Sequence, residues 1–385
     1  MSQRNHALDL LRGLTIALMI IVNNPGDWKV MFTVLRHAEW HGFLGADIVF
    51  PLFLFIAGYA AALKIDRVYQ PLRISGPHCA SALTLEPAEA PPFFLPLLRR
   101  ASLLFLIGVL LNAWPFGLLP GTSFDLSTLR LLGVLQRIAL CVLAGGAILR
   151  YAASRRSLVF SILLILLLYE VCMRLLTVQV DGAAFGRSFA LADNFARFVD
   201  LAVLPKSMFY KVQSIPFDPE GLFTTLTATA TFLIGGLTYR CSHRFHRLYL
   251  LVVLVLLSLP AVAIEPLNKN LWTASFVLVT TTLGIAALTL LEAYWPCAGR
   301  RTQALVRPFG EMGQNPLVVY VLSVLFGKTL ALWKLPPGLS LKQYCYGFLS
   351  SAYVTAEMQS LLYSMLLLTL MMLLARLLRP VPLRL

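Results

Sequence analysis

Long apolar runs alternate with shorter polar segments along the whole chain. Ten of these runs have the length of a membrane-spanning helix, which needs about 20 mostly apolar residues. The predicted spans are 7–24, 44–63, 98–114, 129–149, 157–176, 221–239, 248–264, 271–291, 315–333 and 354–375. No fixed period of self-similarity relates them. The pattern therefore predicts an all-α, polytopic membrane bundle of about ten transmembrane helices.

The composition agrees with a chain that is solvated mainly by lipid. Hydrophobic residues make up 58% and charged residues 13% of the 385 residues, and the mean hydropathy is +0.76. A soluble domain usually carries about 25% charged residues, so this chain has too few to cover a water-exposed surface of its size. No small-residue cleavage site follows the first apolar run, which we therefore interpret as a retained span rather than a signal peptide.

The lysines and arginines predict the orientation of the spans. If the N-terminus is cytoplasmic, the inner segments hold 19 basic and 6 acidic residues, whereas the outer loops hold 10 basic and 9 acidic residues. This asymmetry follows the positive-inside rule and predicts that both termini are cytoplasmic. Topology thereby accounts for the net charge of +14, and nucleic acid is not expected as a partner.

A single transmembrane domain is predicted over residues 1–385. Within it, residues 66–97 contain six prolines and are predicted to form an irregular cytoplasmic connector. The largest outer loop is predicted at 175–220. The six cysteines lack CxxC spacing, which favours neither a disulfide framework nor a zinc site.

Polar residues gather in the loops that the charge pattern assigns to the outer side. They are Asn23 and Asn24 at the end of the first span, His37, Glu39, His41 and Asp47 around the start of the second, and the segments 217–221 (FDPEG) and 265–273 (EPLNKNLWT). Polar groups at a membrane edge are costly without partners, so we expect them to converge on one pocket. Acids, amides and the flat rings of Trp40 or Trp272 would suit a carbohydrate.

Each of these clusters also has a purely structural interpretation. The Asn-Pro-Gly sequence ends a helix by turn chemistry, and residues 218–220 (DPE) are typical of a helix N-terminus. Trp40 and Trp272 are typical of interfacial anchors. The two histidines of HAEWH (37–41) are one helical turn apart, but a zincin motif needs glutamate directly after the first histidine. No metal site is predicted.

A second group of polar residues lies inside the predicted spans. Asp9 and Arg12 in the first span are spaced to pair with each other. Arg130, Gln136 and Arg137 belong to the fourth span, where such residues are functional candidates that face the bundle interior. Pairing with an acid for packing alone is the alternative for the arginines.

Six segments resemble the transmembrane acyltransferase family of heparan-α-glucosaminide N-acetyltransferase and its bacterial relatives. In order between residue 8 and about residue 323, they are LDLLRGLTIALMIIVNNPG, HAEWHGFLGADIVFPLFLFIAG, GVLQRIAL, DPEG, PLNKNLWTASFVL and GQNPLVVYVLS. The resemblance implies a multi-pass protein of the bacterial inner membrane. It also implies transfer of acetyl from cytoplasmic acetyl-CoA, a co-substrate, to the amine of a glucosamine-type sugar on the outer side.

The resemblance assigns catalytic roles to three positions. His37 matches the catalytic histidine of the family, Asn23 matches the asparagine thought to work beside it, and Asp47 matches the aspartate of ADIVFP. Near neutral pH a histidine can serve as a general base or as an acyl carrier. Asp47 would orient the imidazole, and Asn23 would donate to the developing oxyanion. The sequence leaves open whether an acetyl-histidine intermediate forms.

The remaining predicted site residues fall into two groups. Those expected to contact the sugar are Trp40, His41, Asp218, Glu220, Asn268, Lys269 and Trp272. Those expected to line the route of the CoA arm, by analogy and interior position, are Arg130, Gln136 and Arg137. His41 stands where many relatives have asparagine, which leaves its own role open.

Two other functions are compatible with the sequence. An amino-sugar transporter without chemistry would suit ten helices with polar residues in the membrane, although no repeat halves are visible. An O-acetyltransferase of a cell-envelope polysaccharide would keep the chemistry and change the acceptor. The sequence does not determine the acceptor, and it leaves open whether the chain forms a homo-oligomer.

Overall fold

The computed structural model describes residues 5–69, 92–152, 154–180, 183–336, 338–349 and 353–378. Within these ranges the chain forms α1 (His6–Asn23), α2 (Val49–Tyr69), α3 (Phe94–Ala113), α4 (Val134–Tyr151), α5 (Arg155–Leu175), α6 (Phe195–Val203), α7 (Thr225–Arg240), α8 (Arg244–Ile264), α9 (Ala274–Tyr294), α10 (Arg300–Met312), α11 (Pro316–Leu332), α12 (Leu341–Gly347) and α13 (Ala356–Leu377). Three antiparallel hairpins are β1 (Thr177–Val180) with β2 (Ala183–Gly186), β3 (Lys211–Val212) with β4 (Ile215–Pro216), and β5 (Lys334–Leu335) with β6 (Leu339–Ser340). The middle of the predicted connector 66–97, residues 70–91, lies outside the described residues.

The helices confirm the predicted all-α polytopic bundle. Among the described residues, eight helices are long and apolar enough to cross a membrane, or nine if α10 and α11 form one broken span. These two helices meet at a bend of 75°. Two of the ten predicted spans correspond to shorter helices, because α7 has 16 residues and α11 has 17.

The short helix α7 is the centre of the bundle, since 13 of its 16 residues are buried. It lies against α2 at backbone contact. A Cβ atom added at Gly58 would be 1.7 Å from the carbonyl oxygen of Phe232, and one added at Gly235 would be 2.0 Å from that of Phe55. Glycine lets membrane helices approach this closely, so α2 and α7 form a tightly packed pair.

A second tightly packed pair consists of α1 and α10. A Cβ atom at Gly13 would lie 1.8 Å from the Phe309 carbonyl oxygen, and one at Gly313 would lie 1.9 Å from that of Asp9. The Arg12 guanidinium donates to Asp9 Oδ1 at 3.3 Å and to the Gly313 carbonyl oxygen at 3.0 Å. The predicted pairing of Asp9 with Arg12 is confirmed, and it also fastens α1 to the end of α10.

The predicted loop 175–220 contains secondary structure of its own. The hairpins β1–β2 and β3–β4 and the helix α6 form a small layer against α5 and the start of α7. Tyr169, Phe195 and Phe217 form the buried centre of this layer, and Trp40 packs against it. The layer holds the segment around Asp218 in place beside the bundle.

Candidate active site

A cavity of about 180 Å³ lies where α1 ends and α2 begins. Its polar lining consists of Asn23, His37, Glu220, Lys269 and Tyr320. These side chains come from α1, from three separate loops and from α11. The structure therefore brings together polar residues of the four segments that were expected to converge on one pocket.

His37 is bound to a buried aspartate at the edge of this cavity. Its Nδ1 lies 2.8 Å from Oδ1 of Asp47. Because a carboxylate only accepts hydrogen bonds, this contact favours the tautomer of the neutral imidazole with the proton on Nδ1 and the lone pair on Nε2. The His37 side chain is 37% exposed and that of Asp47 is 1% exposed, so the ring is presented to the cavity from a buried support.

Asp47 is itself fixed by the turn in which it lies. It belongs to the 3₁₀ turn Gly45–Ile48, directly before α2. Its Oδ2 accepts hydrogen bonds from the backbone N–H groups of Ala38 (3.1 Å) and Leu44 (2.9 Å). Together with the imidazole, these donors satisfy a buried carboxylate that would otherwise be costly to desolvate. The turn therefore determines the position of the His37 ring.

Lys269 lies against the same imidazole. Its Nζ is 3.1 Å from Nδ1 and 3.3 Å from Nε2 of His37, and 3.9 Å from Oδ1 of Asp47. Burial lowers the pKa of the Lys269 ammonium below its ordinary value, although the Asp47 and Glu220 carboxylates act in the opposite direction. An imidazole, a lysine amine and a carboxylate are thus in mutual contact.

The loop that carries Lys269 is held by its buried neighbours. Asn268 accepts a hydrogen bond from the backbone N–H of Leu271 at 2.8 Å, and the Trp272 indole N–H donates to the Thr231 hydroxyl at 3.0 Å. Asn268 and Trp272 are both fully buried. Trp272 has no exposed ring face on which a sugar could stack, contrary to the sequence expectation, and both residues support the loop.

Arg130 joins the two carboxylates of the DPEG segment. Its Nε and Nη2 donate to the two Asp218 oxygens at 2.8 and 2.6 Å, and Nη2 also pairs with Glu220. The segment is a turn in which the Glu220 N–H donates to Asp218 Oδ1 at 2.9 Å. The interpretation of these residues as a helix N-terminus is wrong, because α7 begins only at Thr225.

The other two residues expected along the CoA route are buried. The guanidinium of Arg137 donates to the Gly221 carbonyl oxygen at 3.2 Å and to the Thr224 hydroxyl, and it lies 5.0 Å from the centre of the Trp272 ring. Gln136 fits against Gly108 of α3, where a Cβ would be 2.4 Å from its amide oxygen. Arg137 therefore supports the turn that carries Glu220, and its partners are neutral groups rather than an acid.

Trp40 and His41 lie between His37 and the small layer formed by the hairpins β1–β2 and β3–β4 and α6. The Trp40 indole N–H donates to the Phe189 carbonyl oxygen at 2.9 Å, and its ring meets Phe217 edge-on at 5.1 Å. His41 is exposed, with Nδ1 3.3 Å from the Asn268 amide nitrogen. Its partial burial lowers its pKa. Trp40 is thus packed on one side, whereas His41 is open to solvent.

Two residues of this region carry no sequence signal of a role. Tyr320 lies in the GQNPLVVYVLS segment and reaches the cavity from α11. Asp200 lies in α6 and accepts a hydrogen bond from the backbone N–H of Leu222 at 2.8 Å, directly after the DPEG turn. No spacing rule links Asp200 to that turn, because only the fold of the small layer that contains α6 brings them together.

Asp200 gives a test of the pH dependence of stability. Burial raises its pKa to about 7, whereas an unfolded chain loses this proton near pH 3.9. The folded state therefore binds more protons between these values, and the free energy of unfolding falls as pH rises through the interval. We expect Asp200→Asn to raise the melting temperature by a few degrees at pH 8 and to change it little at pH 4.

Thermal unfolding in detergent at pH 4, 6 and 8 would measure this effect. The control is Asp125→Asn, since Asp125 is exposed and also accepts a backbone hydrogen bond. An equal shift of the Asp200→Asn variant at all three pH values would contradict the assignment.

The chain is similar in sequence to known acetyltransferases. A family model described as "Heparan-alpha-glucosaminide N-acetyltransferase, catalytic" matches residues 4–193. The human protein named heparan-alpha-glucosaminide N-acetyltransferase is 25% identical over 394 residues, which cover 89% of this chain and 56% of the human protein. The mouse protein of the same name is 25% identical over 373 residues, which cover 83% and 53%. The chain thus spans about half the length of these relatives.

Proposed function

This chain belongs to the family of heparan-alpha-glucosaminide N-acetyltransferase and its relatives, and we propose that it transfers an acetyl group from acetyl-CoA to the amine of a glucosamine-type sugar. The observation that carries the proposal is the His37–Asp47 pair. It presents the Nε2 lone pair to a cavity that Asn23 also lines. The family model covers both His37 and Asp47.

The proposed reaction takes place at the outer end of the bundle. The excess of lysine and arginine in the opposite loops supports this orientation. His37 would then face the periplasm of a bacterial inner membrane, while acetyl-CoA approaches from the cytoplasm. The thioester has to reach His37 through the bundle.

The geometry supports acyl-transfer chemistry at Nε2 of His37. The Asp47 carboxylate fixes the tautomer and stabilises the positive charge that the ring acquires when Nε2 gains a proton or an acyl group. Asn23 lines the same cavity, and its amide N–H would donate to an oxyanion on the acetyl carbonyl. These roles hold for direct transfer and for an acetyl-histidine intermediate.

The cavity accepts only the reacting ends of the two substrates. Its volume of about 180 Å³ is below the roughly 300–1,000 Å³ of pockets that enclose a drug-sized ligand. The sugar ring would therefore lie at the rim, with Glu220 binding its hydroxyl groups and with His41 and Trp40 close by. Asp218 and Arg130 would hold Glu220 in position.

A second cavity fits the nucleotide end of acetyl-CoA. It lies at the N-terminal end of α1 and has a volume of about 420 Å³. It is lined by His6, Trp295, Arg300 and Arg307 and also by Asp9 and Glu311, and Glu311 pairs with Arg307 at 2.9 Å. The rings of His6 and Trp295 stack at 5.6 Å. Arginines bind phosphates well and flat rings stack on a base, so this groove is our proposed nucleotide site. It lies at the end that the charge pattern assigns to the cytoplasm.

Reversal of one charge tests this nucleotide site. We expect Arg300→Glu to raise the KM for acetyl-CoA about tenfold, which corresponds to roughly 1.4 kcal/mol, because a phosphate then meets a carboxylate. The KM for the acceptor should not change. Arg301→Glu is the matched control, since Arg301 is the exposed neighbour on the same helix. An equal rise in both variants would contradict a specific site.

The function itself is tested with the purified protein in detergent or nanodiscs. Incubation with acetyl-CoA and glucosamine should release CoA and yield N-acetylglucosamine, identified by its mass and by stability to mild alkali. An alkali-labile product would indicate an ester and an O-acetyltransferase. Uptake of labelled glucosamine into vesicles without acetyl-CoA, and no acetylated product, would indicate a transporter instead.

A further inference from the structure

Acetyl transfer from a thioester to an amine also moves protons, and the described part of the cavity offers few groups to carry them. The titratable side chains that line it are His37, Glu220, Lys269 and Tyr320. Glu220 is engaged by Arg130. Asp47 lies buried behind the imidazole and already accepts three hydrogen bonds. This leaves Tyr320 and Lys269, and Lys269 is the one whose amine is in hydrogen-bond contact with the His37 ring.

We infer that Lys269 carries the proton of the reaction while His37 carries the acetyl group, an inference that rests on the proposed acetyl transfer. Lys269 Nζ is 3.3 Å from Nε2 of His37, the nitrogen that bears the lone pair. A group bonded to Nε2 can therefore come within hydrogen-bond reach of the lysine amine. Once Nε2 is acylated it is no longer a base, so a second group has to accept the proton of the acceptor amine.

The first half of the reaction uses Lys269 as the acid. Nε2 of His37 forms a bond to the acetyl carbon, and the carbon–sulfur bond breaks. The leaving thiolate takes a proton from the Lys269 ammonium and departs as the CoA thiol. The positive charge thereby moves from the lysine to the acetylated imidazolium, which faces the Asp47 carboxylate.

The second half returns the proton. The neutral amine of the sugar attacks the acetyl carbon, and the bond between that carbon and Nε2 breaks. The proton released by the new amide goes to the neutral Lys269 amine, and His37 recovers its lone pair. One proton leaves Lys269 and comes back in each turnover, and the ring Nδ1 keeps its proton throughout.

The surroundings of Lys269 suit such a carrier. Burial lowers its pKa and the Arg137 guanidinium acts in the same direction, whereas the carboxylates of Asp47 and Glu220 act in the opposite direction. His37 is the further titratable group that faces it. A lowered pKa makes the ammonium a better acid toward the thiolate and keeps the amine accessible in the second half.

Two substitutions distinguish a proton carrier from a fixed positive charge. Lys269→Arg keeps the charge but does not release a proton, whereas Lys269→Met removes both. A proton carrier requires that both variants lose about 10²-fold or more in kcat for N-acetylation. A lysine that only stabilises the oxyanion would be replaced well by arginine. Lys206→Met, at an exposed lysine of the outer layer, is the control.

A single-turnover measurement tests the acetyl carrier directly. Mixed with acetyl-CoA and no acceptor, the wild type should release about one CoA per active site in a burst, with the acetyl group retained on the protein. The burst should slow in both Lys269 variants and be absent in His37→Ala. The size-exclusion profile and melting temperature of all three variants should match those of the wild type, which shows that the variants are folded.

The outcomes separate this inference from the proposed function. Retention of more than about a tenth of wild-type kcat by Lys269→Arg would overturn the proton-carrier role. A wild type that acetylates the sugar without a CoA burst would overturn the acetyl-carrier role of His37 while leaving the proposed function intact. A wild type that acetylates no amino sugar would overturn both.

Discussion

Replacement of His37 by alanine is expected to lower kcat/KM for sugar N-acetylation by at least about 10³-fold. The substitution removes the Nε2 lone pair that faces the cavity and leaves Asp47 with two of its three donors. Acetyl-CoA should still bind with its usual affinity, because the proposed nucleotide groove lies at the other end of α1. The measurement is product formation by mass spectrometry, together with a binding isotherm for acetyl-CoA.

The control for this variant is His246→Ala. His246 is exposed, and it lies near the start of α8. It should keep wild-type activity, which shows that loss of a histidine is not harmful in itself. Activity within tenfold of the wild type in His37→Ala would remove the imidazole from the mechanism.

The second large effect is expected for Asp47→Asn, with a loss of about 10²- to 10⁴-fold in kcat. The asparagine amide can donate to Nδ1, which favours the tautomer with the proton on Nε2 and blocks the lone pair. The two backbone donors, from Ala38 and Leu44, both require the remaining oxygen as their acceptor, so they hold the amide nitrogen toward Nδ1. The KM for acetyl-CoA should change little, so that the loss appears in kcat.

Steady-state kinetics with both substrates varied would measure this split. Asp125→Asn serves again as the control, since it makes the same substitution at an exposed position. A loss below threefold would mean that the buried carboxylate does not determine the tautomer. A loss confined to KM would assign Asp47 to substrate binding.

The sequence was a good guide to the fold because apolar length is a property of each segment by itself. The structure has a helix at each of the ten predicted spans. The length of α7 could not be predicted, because the turn of residues 218–221 continues into irregular backbone up to Thr225. That extension depends on Arg137 and Asp200, which bind the turn from other elements.

The convergence of the site residues could be predicted because polar residues near a membrane need partners. Asn23, His37, Glu220 and Lys269 do share a cavity. The sequence does not show how deeply each side chain is buried in the folded protein. Trp272 has a flat ring of the kind that stacks on sugars. However, its indole is enclosed between Thr231 and Arg137, which lie on other helices. Tyr320 enters the site only because α11 passes beside α1.

Glycine-mediated backbone contact also bears on how substrates enter and leave. The backbones of α2 and α7, and those of α1 and α10, approach each other so closely at their glycines that a side chain would not fit between them, so we expect each pair to move as one body. His37 is bound through Asp47 to the start of α2, in the pair of α2 and α7. Asn23 is the last residue of α1, in the pair of α1 and α10. We therefore expect the cavity to widen along the interface between the two pairs. A rotation of one helix pair relative to the other would change the distance between Asn23 and His37.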